Sequence, residues 1–411
     1  MTLPCQPVVR LRLGTGASFG NVLVLGDAIN GILGTNILGT TVVQVVDIST
    51  EVDQIAIRRG RDRIFEHYTP GSATISWWDP NGDWNPDNAS GPYYGQILPM
   101  RQVKVTTNYN GTEYALFSGF ISSWDWEWPK GTQFAKVTVT ADDGFRLLAL
   151  SNVDNVTGAA TGDYPGTRIN QILDMIDWPA DMREIDTGTQ ELQNDPGGLR
   201  AVLEAIQTVE ATELGGFYMD PNGNARFKSR NAISQQASGT AVDFADDGTG
   251  IYYQDLDVAF DETELSNVVS VTNHGGTAQT ASDATSIAEY FTRTYTQTEL
   301  LGRNNAQALN IANLILQYRK TPRIRIESIT LDLSSDSSRV EPALDLDFGD
   351  PIYVTRTQTP TSVLDLRLTV QGVEHTITPD RWTTRLITRE PLSTAFILGS
   401  SQFGILGTNT L

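Results

Sequence analysis

Two long stretches of this chain place apolar residues at every second position, and the segment between them does not. From Val42 to Ala149 the rows Val103/Val105, Phe117/Gly119/Ile121, Trp124/Trp126/Trp128 and Val137/Val139/Ala141 alternate as half-buried strands do, with turns such as Asn110-Gly111 between them. Between Arg168 and Val209 the spacing becomes three or four: Ile169, Ile172, Leu173 and Ile176 precede Trp178-Pro179, and Leu199, Val202, Leu203, Ile206 and Val209 form one apolar face. A hairpin follows, Gly216 to Met219 and Ala225 to Phe227 around Asp220-Pro221-Asn222-Gly223. A polar stretch runs from about Ser229 to Gly250. Strands then resume at Asn267 to Val271, one helix spans roughly Gly302 to Lys320, and alternation returns in Ile324/Ile326, Ile329/Leu331/Leu333, Ile352/Val354, Leu366/Leu368/Val370 and Trp382/Leu386. The fold class expected is mainly β with an α+β insert: two β-barrels flanking a small α/β module, with extended terminal strands. The boundaries expected are 1–41 for an amino-terminal arm, 42–150 for the first barrel, 151–240 for the insert, 241–393 for the second barrel and 394–411 for a docking tail. The helix at Gly302 to Lys320 is expected to floor the second barrel.

The two ends share a cassette. VLGDAINGILGTNIL (Val24 to Leu38) and ILGSSQFGILGTNTL (Ile397 to Leu411) both read as a short apolar strand, a turn, and Gly-Ile-Leu-Gly-Thr-Asn. A unit written twice is expected to do one job twice. Gly31, Ile32 and Leu33, with Gly404, Ile405 and Leu406, are therefore the candidate docking residues, either pairing with each other or adding strands to similar neighbouring surfaces.

Composition narrows the partners. With 49 acidic and 29 basic residues the net charge is −20, which repels nucleic-acid phosphates and anionic lipid. The single Cys5 cannot form an internal disulfide. The first residues, MTLPCQPVVRLRLG, lack the basic and apolar regions of a secretory signal, so export is not expected. Ala28 to Val46 is uncharged, but Asn30, Thr35, Asn36, Thr40, Thr41 and Gln44 interrupt it, so no membrane span is expected.

The inventory of reactive groups is sparse. His67, His274 and His375 stand apart, no zinc-type spacing occurs, and no nucleophile elbow, P-loop or dinucleotide fingerprint is present. Neither a catalytic residue nor a metal or other cofactor is expected. The carboxylate clusters Asp142-Asp143, Asp246-Asp247 and Asp345/Asp347/Asp350 read as loop faces and caps before they read as acid–base pairs. The loop Asp79 to Asn85 spaces oxygen ligands as a calcium loop does, but has Trp84 where that loop needs glycine and Ser90 where it needs glutamate, so it reads as a structural turn. Trp124, Trp126 and Trp128 are candidate interface aromatics on one strand face; a sugar-stacking platform is the alternative use of such a row.

These motifs carry a resemblance. Ile57-Arg58-Arg59-Gly60-Arg61, Pro70-Gly71-Ser72-Ala73-Thr74-Ile75, Asp79-Pro80-Asn81-Gly82-Asp83-Trp84-Asn85-Pro86, Pro92-Tyr93-Tyr94-Gly95 and Phe117-Ser118-Gly119 resemble the first domain of minor tail proteins of long-tailed bacteriophages. Arg319 to Arg323, Leu346-Asp347-Phe348-Gly349-Asp350-Pro351, Gly372-Val373-Glu374-His375 and Trp382-Thr383-Thr384 resemble their final barrel. The series is similar to tail-tip hub proteins, themselves similar to the baseplate hub of contractile phages. The resemblance implies a trimeric ring of paired barrels closing the tail tube in the virion, assembled in the host cytoplasm. It implies as partners further copies of the chain, a distal tail protein or tube ring, the carboxy terminus of the tape-measure protein, and spike, fibre or receptor-binding proteins, with DNA passing unbound. A carbohydrate-binding or wall-degrading phage protein and a distal-tail or fibre adaptor are the alternatives.

Overall fold

The computed structural model describes residues 3–13, 44–130, 134–359 and 362–391. Both cassettes, and with them Gly31, Ile32, Leu33, Gly404, Ile405 and Leu406, lie outside the described residues.

The chain begins with seven strands: β1 (Pro7–Leu13), β2 (Gln44–Asp47), β3 (Val52–Gly60), β4 (Thr69–Asp79), β5 (Gln102–Tyr109), β6 (Thr112–Glu127) and β7 (Ala135–Asp142). Next come α1 (Phe145–Leu150), β8 (Asn152–Val153), α2 (Pro165–Asp174), β9 (Arg183–Ile185), β10 (Arg200–Ala201), α3 (Val202–Glu213), the hairpin β11 (Gly216–Met219) and β12 (Ala225–Lys228), and α4 (Arg230–Ala237). The last part holds β13 (Val242–Ala245), β14 (Asp255–Ala259), β15 (Val268–Asn273), β16 (Gln279–Ser282), α5 (Ala284–Tyr290), β17 (Thr294–Leu300), α6 (Asn305–Arg319), β18 (Arg325–Asp332), α7 (Val340–Asp345), β19 (Pro351–Thr359), β20 (Ser362–Thr378) and β21 (Arg381–Arg389). The fold is mainly β with an α+β insert, as the periodicity predicts. Leu199 departs from its expected place: it precedes α3 and is exposed, while Val202, Ile206 and Val209 make the buried face. The polar stretch after Ser229 contains α4, whose first turn is capped by the Ser229 hydroxyl accepting from the Ala232 N–H.

The two β blocks are not separate closed barrels. Thirteen strands form one sheet in the order β14-β18-β21-β20-β3-β4-β7-β6-β5-β1-β2, with β19 beside β20 and β13 beside β19, and strand pairing does not close a barrel among the described residues. The reason lies in two long strands that change neighbours at bulges. β6 pairs with β5 and then β7, shifting register between Ile121 and Ser123. β20 pairs with β19 up to Thr369, shifts register against β21 between Val370 and Gly372, and from Gly372 to Ile377 takes β3 of the first block as its neighbour. A bulge bends a strand and redirects its edge, so one strand can serve two blocks.

The long helix has a different partner from the one expected. α6 opens with a capping box, the Asn304 side chain on the Gln307 N–H and the Gln307 side chain on the backbone N–H of Asn304. It packs on β15 and β16 of a separate three-stranded sheet, β16-β15-β17, and not beneath the main sheet. Ala308, Ile311, Ala312 and Ile315 are fully buried there with Val269, Val271 and Leu300 in a core of their own. Because β15 supplies Val269 and Val271 at alternate positions, the helix has a ready apolar face to cover. Ile315→Asp is expected to cost about 4 kcal/mol or more by burying an unpaired charge, with loss of soluble yield, whereas Ile311→Val costs about 1 kcal/mol. Denaturant unfolding of the two variants checks this, and a stable Ile315→Asp protein would contradict the packing.

Candidate functional site

The arginine-rich motif of the first block and the Gly-Val-Glu-His motif of the second lie side by side. β3 and β20 pair antiparallel, Gly60 opposite Gly372 and Ile55 opposite Ile377. Gly60 has φ of +118°, and a Cβ there would sit 2.3 Å from the Gly372 Cα, so the backbones meet where no side chain fits. Each arginine of the motif then finds its own partner. Arg58 Nε donates to Glu374 Oε1 at 2.9 Å, and Nη2 reaches Asp62. Arg59 is buried, pairs with Asp347, and lies over the Phe348 ring at 4.9 Å. Arg61, also buried, donates to Gln371 Oε1 at 3.0 Å and to the Glu66 carbonyl, and stacks over Tyr68 at 4.4 Å. The Leu346 to Asp350 motif thus seals the seam from outside: Asp347 neutralises Arg59, Phe348 stacks on Tyr68, and Asp350 accepts from Gln236 at 2.7 Å.

Two buried titratable groups flank Arg59. Asp143 accepts the N–H groups of Gly71 at 2.7 Å and Phe145 at 3.0 Å. A Cβ on Gly71 would touch both its carboxylate and the Arg59 stem, which accounts for glycine in the Pro-Gly-Ser motif. Burial pushes the Asp143 carboxyl up to about 7, against the pull of those two N–H groups and of Arg59. His375 Nδ1 lies 2.9 Å from Thr384 Oγ1 and receives the Trp382 indole N–H at 3.4 Å. Burial, and after it the Arg59 charge, holds the imidazole neutral down to about 3.

The aromatic row is largely used up inside the molecule. Trp124 Nε1 donates to the Leu98 carbonyl and Trp126 Nε1 to the Trp84 carbonyl at 2.8 Å, while Trp84 lies buried against Trp77, Tyr93 and Trp124. The calcium-like loop is a turn built to bury Trp84: both Asp79 oxygens accept backbone N–H groups, from Asp83 at 2.9 Å and Trp84 at 3.0 Å. Trp128 falls just past the end of β6 and is 61% exposed. Of the three candidate interface aromatics it alone presents most of its ring to solvent.

The remaining candidates are structural in their contacts. His67 pairs with the buried Glu210, which also accepts from the Phe217 N–H, and His274 pairs with Glu299. Asp142 binds Arg146, and Asp246 binds Arg356. A cleft of about 380 Å³ beside the seam is lined by Arg59, Arg226, Asp220, Asp345, Asp347 and His375, among other groups. Its arginines are already paired, Arg226 with Asp220 and Glu184 and Arg59 with Asp347. Among the described residues, acids, histidines and the cysteine form no group of three that would hold a metal ion, and no helix is long and apolar enough to cross a membrane.

No family model matches the sequence, and no curated protein does. Solved structures do match. A tail protein from Neisseria meningitidis MC58 superposes with a TM-score of 0.59 at 13% identity, over 94% of this chain and 96% of that one. The 43 kDa tail protein of prophage MuSo2 from Shewanella oneidensis gives 0.55 at 14% identity, over 85% and 96%. A chain of the Francisella PdpA–VgrG complex gives 0.51 at 10% identity, over 94% of this chain and 53% of that one. At such identities the likeness is one of architecture: over 94% of its length this chain shares its fold with a tail protein.

Proposed function

We propose that the chain is a structural subunit of a phage tail tip, a hub that closes the end of the tail tube, and that it acts as a scaffold and not as an enzyme. The observation that carries this reading is the end-to-end likeness of fold to tail proteins, covering 94% of this chain and 96% of the Neisseria protein. Three copies in a ring, each contributing the blocks 42–150 and 241–393, present six similar surfaces to a sixfold tube or distal-tail ring. The insert 151–240 stands between the blocks. Spike, fibre or receptor-binding proteins attach on the other side, and the tape-measure protein ends inside. Trp128 and the amino-terminal cassette residues Gly31, Ile32 and Leu33 serve contacts between subunits in this reading, and a net charge of −20 keeps passing DNA from adhering to the bore. Purified particles are expected to hold three copies of the chain at the tail tip. Quantitative mass spectrometry of virions returning one or six copies would overturn the hub, and a chain absent from virions would overturn the tail role altogether.

A further inference from the structure

Among the described residues the main sheet has three edge strands, β2, β13 and β14, and β14 bonds only to β18. Edge strands expose unpaired backbone groups, which proteins blunt with charges, bulges or cover. The first half of β14 has such guards. Asp255 turns its carboxylate onto the Leu256 N–H at 2.9 Å, Asp257 meets Ser328 and Arg385, and a bulge falls between Asp257 and Val258. Past the bulge the guards stop. Val258 is 46% exposed and Phe260 69%. Antiparallel register sets Ala259 opposite Arg325, which brings the exposed Ile324 across from Phe260.

The chain that follows β21 leaves at this same end. Ser328 pairs with Ile387, and the Thr388 hydroxyl donates to the Ile326 carbonyl, while Ile326 pairs with Val258 across the sheet. The last residues of β21 are thus level with the apolar half of β14. Glu390 is held there by Arg323 at 2.7 Å, in a hollow shared with Asp261, Glu264 and Leu265 just beyond β14. From β21 past β18 and β14 to a new strand is three strand spacings, about 14 Å. The twelve residues from Leu392 to Phe403 reach roughly 40 Å when extended.

Leu392 to Leu411 carries no charged residue, on a chain of net charge −20. An acidic segment would be repelled by the exposed Asp255 on this edge, and an apolar, neutral one is not. Having turned back from β21, the chain would run antiparallel to β14.

We propose that the carboxy-terminal cassette, around Gly404 to Thr408, adds as an antiparallel strand to the free edge of β14 in the same molecule and covers Val258 and Phe260. This stands independently of any role in a tail. The test uses the full chain with Cys5→Ser, carrying Val258→Cys together with a second cysteine placed in turn at Phe403, Ile405 and Gly407. At least one pair is expected to close a disulfide within one chain under mild oxidation, seen as a monomer of altered mobility on a non-reducing gel. Deleting Leu392 to Leu411 is expected to speed amide hydrogen exchange in Asp255 to Phe260 at least tenfold, with β3 and β4 unchanged. Disulfides found only between chains would overturn the same-molecule arrangement. No crosslink at any position together with unchanged exchange would overturn the pairing itself.

Discussion

Gly60→Ala is expected to be among the most damaging single-methyl changes at the described residues. The added carbon would lie 2.3 Å from the Gly372 Cα and 2.4 Å from the Gln371 carbonyl oxygen, both backbone atoms, at a φ of +118° that a side chain rarely adopts. Relief requires β3 and β20 to separate, and that exposes Arg59 and Arg61 from their buried pairings. A loss of about 3–5 kcal/mol follows, the size seen when strain and buried charge pairs are disrupted together. Gly372→Ala is the graded control. Its methyl meets the Ile387 Cδ1 at 3.0 Å and the Arg59 carbonyl at 3.1 Å, contacts that a small shift relieves, for roughly 1–2 kcal/mol. Chemical unfolding of the two variants measures the order. If Gly60→Ala unfolds within about 0.5 kcal/mol of the parent, the range of ordinary surface changes, the strands do not meet as described.

The second large effect is one of pH, and it is hidden in the parent protein. Asp143 has its folded pKa raised to about 7, against about 3.9 unfolded. Its contribution is therefore fully present below the unfolded value and is lost as pH rises through about 7. His375 works the other way: its folded pKa is lowered to about 3, against about 6.5 unfolded. That contribution is present above the unfolded value and is lost as pH falls through about 3. At 1.36 kcal/mol per unit each swing is on the order of 4 kcal/mol. Between about pH 4 and 6.5 the two slopes oppose each other. Asp143→Asn should then gain stability on going from pH 4.5 to 6.5, and His375→Gln should lose it over the same interval. Unfolding free energies at the two pH values read the sign directly, and parallel slopes in the two variants would show that these groups do not titrate as their burial demands.

Sequence pattern carried much of the local structure. Ile169, Ile172 and Leu173 fall on the buried side of α2, and Val202, Ile206 and Val209 on that of α3, because one apolar stripe per helix is a local property. The hairpin around Asp220 was legible for the same reason: its carboxylate accepts from Asn222 and Asn224 within the turn itself. Long-range pairing was not legible. Nothing local in Arg58-Arg59-Gly60-Arg61 says that its partner strand lies more than three hundred residues on, and each motif alone is compatible with closing its own barrel. α4 was hidden because Asn231, Gln235 and Gln236 dilute its apolar stripe, although Ser229 was a readable start signal. The burial of Trp84 was not legible either. An acidic, asparagine-rich loop suggests solvent, yet its indole is 3% exposed because Asp79 spends its charge on the turn.

The ladder between β3 and β20 also has a mechanical meaning. Twisting or pulling one block against the other requires breaking that ladder together with the Arg59–Asp347 and Arg58–Glu374 pairs across it. The two blocks are therefore coupled at this seam by main-chain bonds and ion pairs that must break together. In the ring proposed above, this coupling moves the compliance to the joints between neighbours, and widening of that ring is expected as a parting of whole subunits.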